Sequence, residues 1–259
     1  MMDSAPLLGA SILLSLCCVL PASADDSTDS IVANPNRPTV SNPADITQYG
    51  VLEMEYGVES NHDSREVCGL FKFAALKDLE LRLSTMSFES DRTTGIEGVG
   101  DTTAGFQYRF LHQNKDAPAM AFYYGLKFPT AKAGLSNGRY DHDFLWLVSK
   151  DIGKAHVDFN LDFPLIGKPD RSGFDHFLAP ALAVSSQFAD KWTVAAEISG
   201  STRENTSTPA NSSFLVALSF ALRPRLVFDS ALSFGLSGGL PHTTFLAGFT
   251  YSVARLLHS

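Results

Sequence analysis

From Tyr49 onward, apolar and polar residues alternate one for one through a series of short segments divided by Gly, Pro, Asn, Asp and Ser. The clearest case follows Gly153, where Ala155, Val157, Phe159, Leu161 and Phe163 interleave with His156, Asp158, Asn160 and Asp162. A period of two gives a strand with one oily and one polar face. Such segments lie near 49–60, 66–76, 78–88, 101–113, 117–129, 141–150, 154–165, 174–188, 191–202, 212–223, 225–236 and 242–254. A tilted strand of about 9 to 11 residues crosses a bilayer, and these segments, 10 to 15 residues long, suffice for it. A soluble sandwich would need a second sheet against every oily face, so the repetition favours lipid as their partner.

The connections fall into two alternating kinds. Lys77-Asp78, Asp151-Ile152-Gly153, Ala189-Asp190-Lys191 and Pro224 are tight, whereas 91–100, 131–140, 167–173 and 203–211 are long and rich in turn formers. Short turns at one end and long loops at the other predict an all-β fold, a transmembrane antiparallel up-and-down β-barrel of about twelve strands over residues 48–255. An even strand number puts both termini on the periplasmic side. Outward-facing sets include Leu52, Met54, Tyr56 and Val58, then Phe106, Tyr108 and Phe110, then Phe122, Tyr124, Leu126 and Phe128. A Lys or Arg facing lipid at the bilayer midplane costs about 2 to 4 kcal/mol, so the charges belong on the inner wall. Tyr49, Tyr108, Trp146, Phe188, Trp192 and Tyr251 fall near strand ends, where rings favour the headgroup layer.

Two segments precede the barrel. Residues 1–24 carry an apolar run from Leu7 to Leu20 and Ala22-Ser23-Ala24 before Asp25, the pattern of a cleaved signal peptide. Residues 25–47 are polar and broken by prolines, an irregular periplasmic lead-in or a plug. Loss of the first 24 residues removes one acidic and no basic residue, leaving a net charge of −7 against −8 for the whole chain. That excludes a nucleic-acid partner. Cys68 is then the sole cysteine, which rules out an intrachain disulfide and a thiolate zinc site. No run of about 18 apolar residues follows the signal, so helical spans are excluded.

Candidate chemistry is thin. The seven histidines form no metal-binding helix pair, and the chain has neither a Gly-x-Ser-x-Gly elbow nor a phosphate loop. Asp141-His142-Asp143 reads as a solvated strand end, since adjacent strand residues point to opposite faces. Asp158 and Asp162 share a face but stand about 13 Å apart along a strand, too far for glycosidase carboxylates. The inner wall therefore supplies the site: Glu53, Glu55, Glu80, Arg82, Arg109, Lys127, Asp158 and Asp162 line the lumen and select solutes by charge and width. Small inner residues such as Gly105, Gly125, Ala195, Ser199, Ala217 and Ala231 leave room for water or ligand.

Several collinear stretches resemble a known family. They are Asn36-Arg37-Pro38, then Tyr49 through Gly57, Leu79 through Leu83, Gly100 through Phe110, Lys127-Phe128-Pro129-Thr130, and Ser149 through Gly153. Together, over about Asn36 to Val253, they resemble the bacterial outer-membrane family labelled for the meta-pathway of phenol degradation. The resemblance implies a transporter-like barrel tied to uptake of aromatic or other hydrophobic compounds, with no cofactor and no catalytic residues. One departure concerns the end of the chain: Tyr251 is followed by eight further residues, whereas outer-membrane strands usually close on an aromatic that the barrel-assembly machinery reads.

The expected protein is a passive channel or transporter for small molecules, aromatic or hydrophobic ones among them, in the outer membrane of a Gram-negative bacterium, not an enzyme. Its expected partners are outer-membrane lipid, small-molecule solutes and, during insertion, the barrel-assembly machinery. Two rivals remain open: a closed barrel that displays its loops for structure or interaction, and a barrel-embedded hydrolase.

Overall fold

The chain divides into two units, Met1–Ser30 and Ile31–Ser259. The computed structural model describes residues 30–258, and the fold below is that of the second unit. The expected signal peptide lies outside the described residues.

Fifteen strands follow in order: β1 (Val51–Ser60), β2 (Ser64–Leu76), β3 (Leu79–Asp91), β4 (Ile96–Gly98), β5 (Thr102–Leu111), β6 (Ala119–Phe128), β7 (Asp141–Ile152), β8 (Ala155–Asp162), β9 (Leu165–Gly167), β10 (Phe174–His176), β11 (Ala179–Ala189), β12 (Trp192–Ser201), β13 (Asn211–Arg223), β14 (Leu226–Ser237) and β15 (Thr244–Arg255). Twelve are wall strands, and β4, β9 and β10 are three-residue extensions in the long loops. Each wall strand pairs antiparallel with its neighbours in the chain. The ring closes through β1 and β15, with Tyr56 opposite Phe249 and Gly57 opposite Gly248. Closure leaves no free wall edge, as hydrocarbon requires of backbone N–H and C=O groups.

The twelve expected strands are the twelve wall strands, with two differences. The segment expected at 154–165 stops at Asp162, and β9 after it pairs with β7 at Leu165 and with β10. Pro164 follows, and proline has no N–H to give a ladder. The segment expected at 174–188 also breaks, with β10 ending at His176 and β11 starting at Ala179. Short turns at 77–78, 153–154, 190–191 and 224–225 gather at the end where β1 begins and β15 finishes, and the long loops gather at the other.

Burial is inverted relative to a soluble domain. Phe106, Tyr108, Phe110, Leu182, Ile198 and Phe245 lie exposed on the outside, while the largest fully buried side chains include Lys72, Gln107, Glu53, Glu55, Glu80 and Glu197. Outward rings pack along the wall, edge to face in Phe110 with Trp146 and Phe122 with Trp146 and tilted in Trp192 with Phe220. Near the loop end, Phe128 packs on Tyr140 and His142 on Phe174, an aromatic group absent from the expected girdle. Apolar clusters inside are small: Ala119, Ala121, Tyr123, Leu145 and Leu147 with Ala44, and separately Leu215, Ala217, Ala231 and Leu246.

Candidate functional site

The lead-in lies inside the barrel. Starting from Ala33, whose N–H donates to Pro224 O at the turn end, it crosses the lumen and returns to β1. Its prolines and asparagines keep it out of any ladder, so its backbone donors must find side-chain acceptors. Four inward glutamates provide them. Glu53 accepts from Asn34 N at 2.9 Å, and Glu55 from Asn36 N at 2.9 Å and Arg37 N at 3.2 Å. Across the lumen, Glu197 accepts from Val40 N at 3.1 Å and from Ser41 N at 2.7 Å. Glu80 takes Thr47 N at 2.8 Å and Thr47 Oγ1 at 2.7 Å. Asn160 and Asn42 exchange bonds, Ala44 N donates to Ser149 Oγ, and Gln107 donates to the carbonyls of Pro43 and Ala44.

Buried carboxylates need compensating charge. Lys72 Nζ stands 2.8 Å from Glu53 and 2.5 Å from Glu55, and also donates to Asn34 O and Asn36 Oδ1. Arg82 Nε pairs with Glu80 at 2.8 Å. Arg37 lies over the facing Gly57 and Gly248, where a Cβ on Gly57 would come within 2.2 Å of its Cζ. Its ion pairs are long, 3.5 Å to Asp229 and 3.9 Å to Glu59.

Residues 36–43 separate chambers on the loop side from one on the turn side. On the loop side a chamber of about 560 Å³ adjoins β8, β11 and β12, and one of about 710 Å³ adjoins β2, β3 and β6. The two meet around Val40, Asn42 and Leu70. A chamber of about 390 Å³ on the turn side is bounded by Thr39, Pro43, Asp158, Ala183 and Lys191.

The wall is thin at one place. A groove of about 430 Å³ on the outside, between Phe159, Leu182 and Ile198, shares Pro180, Ala181, Ser199 and Gly200 with the first chamber. The β11–β12 register begins at Ala181 opposite Ser199, and beyond it contact resumes only where Thr202 N donates to Leu178 O. Pro180 lacks a donor and Gly200 lacks a side chain, which accounts for the gap.

All eight wall residues named from the sequence point inward, but they do not line one open pore. Glu53 and Glu80 are shielded by the lead-in and reach none of the three chambers. Arg109 is occupied by Asp45 at 2.5 Å and Asp78 at 3.0 Å. Lys127 is held between Asp101 at 2.9 Å and Asp141 at 2.6 Å, beside the second chamber that Glu55 also borders. Asp158 accepts from Ser149 Oγ and lies 3.1 Å from His156 Nε2, at the turn-side chamber. Arg82 and Asp162 border the first chamber. Lys72, Asp143 and Tyr123 were missed. Lys72 could have been found, because Phe71 and Phe73 flank it in the outward register.

A closed twelve-stranded barrel with an oily exterior and a charged interior is a transmembrane β-barrel of the outer-membrane type. The chain belongs to the family described as "Putative MetA-pathway of phenol degradation", which matches residues 36–253. No curated protein matches it. Among solved structures it is similar to the COG4313 outer membrane channel from Pseudomonas putida F1, with 13% identity over 83% of this chain and 99% of that one, TM-score 0.65. It is also similar to the NanC porin, 9% identical over 78% and 100% of the chains, TM-score 0.57, and to the KdgM porin, 10% over 78% and 99%, TM-score 0.56. At such identities the likeness establishes the fold.

Proposed function

We propose that the protein is an outer-membrane channel for passive passage of small hydrophobic molecules and that it has no catalytic role. One observation carries the reading: residues 36–43 stand across the lumen, bonded to Glu55, Glu197 and Asn160, while the first chamber backs onto a lipid-facing groove at Pro180 and Gly200. An axial route for hydrated solutes is thereby obstructed, and an apolar molecule gains access through the thin wall from the lipid side. Phe159, Leu182 and Ile198 offer it a surface like the one it leaves, so the transfer costs little hydrophobic free energy.

The test is a flux measurement in liposomes whose outer leaflet is lipopolysaccharide, which passes apolar compounds poorly. Aromatic hydrocarbons are expected to cross faster than through protein-free vesicles, while sugars of similar size cause no swelling. Sugar-driven swelling with no gain for the hydrocarbons would overturn the proposal. A barrel that passes neither would favour the reading of a closed structural barrel.

A further inference from the structure

The first loop-side chamber contains polar atoms that the protein leaves unsatisfied. Arg82 is 7% exposed, and its Nε is committed to Glu80, yet its Nη2 has no partner. Asp143 and Asp162 lie on adjacent strands and both border the chamber. Each keeps a buried Oδ1 without a partner. Tyr123 lines the same chamber, with the Arg82 guanidinium 5.5 Å from its ring centre. Apolar surface surrounds this polar corner: Leu70, Leu145 and Phe177 on the wall, and Val40, 63% exposed, on the lead-in.

A buried donor and two buried acceptors left unpaired are costly, and a ligand that satisfies them gains what the empty arrangement forfeits. A carboxylate would meet two acid oxygens, and a hydrocarbon would leave all three atoms unpaired. An ammonium has donors only and would face a like charge on Arg82. A hydroxyl both donates and accepts. We propose that this chamber is a head-group site for neutral hydroxyl-bearing apolar molecules, an alcohol or phenol whose oxygen accepts from Arg82 Nη2 and donates to Asp143 or Asp162 while its apolar body rests on Leu70, Leu145 and Val40. The inference rests on the reading of the barrel as a passage for hydrophobic molecules and adds the class that it prefers.

The experiment uses the full barrel in lipid nanodiscs, with 2-naphthol, naphthalene, 2-naphthoate and 2-naphthylmethylamine titrated by naphthyl fluorescence against empty nanodiscs. 2-Naphthol is expected to bind saturably and about tenfold or more tighter than naphthalene, the equivalent of about 1.4 kcal/mol, and both charged analogues more weakly than 2-naphthol. The double variant Asp143→Leu, Asp162→Leu is expected to bring the hydroxyl preference within about twofold, whereas Asp143→Asn, Asp162→Asn, which keeps both carbonyl acceptors, retains most of it. Heat-modifiable gel migration verifies that each variant remains a folded barrel. Equal binding of 2-naphthol and naphthalene, tightest binding by the amine, or an unchanged preference in the double Leu variant would each overturn the site. If naphthalene crosses membranes through the protein with no hydroxyl preference, the passage stands and this inference alone fails. If none of the four binds or crosses, both fall.

Discussion

The interior holds two kinds of ion pair, and they carry different weights. Lys72 is fully buried between Glu53 and Glu55. Replacing it with Met leaves two carboxylates in the wall without their cation, and breaking a buried pair costs about 3 to 5 kcal/mol. A loss of that size is expected in urea unfolding of the lipid-folded barrel for Lys72→Met. Arg37 has longer contacts, to the buried Asp229, the partly exposed Glu59 and Ala247 O, so Arg37→Ala should cost less than Lys72→Met. Gly57→Ala tests the same neighbourhood differently. Its Cβ would strike the far end of the flexible Arg37 side chain, so faster hydrogen exchange at the Asn36 and Arg37 amides is expected with an unchanged melting temperature. At Gly105 the obstacle would be Tyr124 O, a backbone atom 2.3 Å away, and Gly105→Ala should impair folding itself.

The lead-in is the element that crosses the lumen. Its bonds run to β1, β2, β3, β5, β7, β8 and β12, and Ala44 packs among Ala119, Ala121 and Leu147. Deleting residues 31–46 is expected to turn a barrel with little ion current into one with large discrete conductance steps in planar bilayers. An unchanged current would show that the segment does not obstruct ions. Among the loops, 129–140 is fastened by Asp101, which accepts from Ser136 Oγ and from Ala131 N at 2.9 Å and pairs with Lys127. Burial pushes the Asp101 carboxyl up, but the bonds from Ser136, Lys127 and Ala131 outweigh it and hold it below the ordinary aspartate range. A depressed value gives stabilisation that is present above the unfolded pKa of about 3.9 and lost as pH falls through the folded one. The Ala131 amide should therefore stay protected from exchange between about pH 5 and 8 and lose protection only below about pH 4. A loss of protection near neutrality would show that another group fastens the loop.

For the whole molecule, the exposed belt that includes Phe106, Phe110, Leu182, Ile198, Phe214 and Phe245 is far more apolar than water tolerates on a monomer. The purified protein is expected to be monodisperse only in detergent or lipid and to aggregate once these are withdrawn, as size-exclusion chromatography would register. Much of this architecture was legible in the sequence, because a period-two pattern lies wholly within each strand. Phe159 beside Asp158 and Asn160, or Val216 beside Leu215 and Ala217, reveals its face without reference to any other segment, although Leu215 is apolar and inward and blurs the rule. The break at Pro164 was written in proline chemistry but was read through, whereas Phe177 and Leu178 before Ala179 carry no turn signal. Less of the site was legible. The eight wall charges sit on the inner face, but their partners lie as far as 199 residues away in the chain, as with Glu53 and Ser252, and no local pattern encodes such a pairing.

By itself the sequence determined the all-β class, the number of wall strands, the end at which the long loops collect and which side chains turn from lipid, since each follows from alternation and turn residues acting over a few positions. Only the tertiary structure decided that residues 31–48 fold back into the lumen, that Lys72 rather than solvent neutralises Glu53 and Glu55, and that Arg82, Asp143 and Asp162 gather in one chamber. These outcomes depend on which wall strands meet around a closed ring. Closure brings together groups that are remote in the chain, and buried charge then has to find its partners in space.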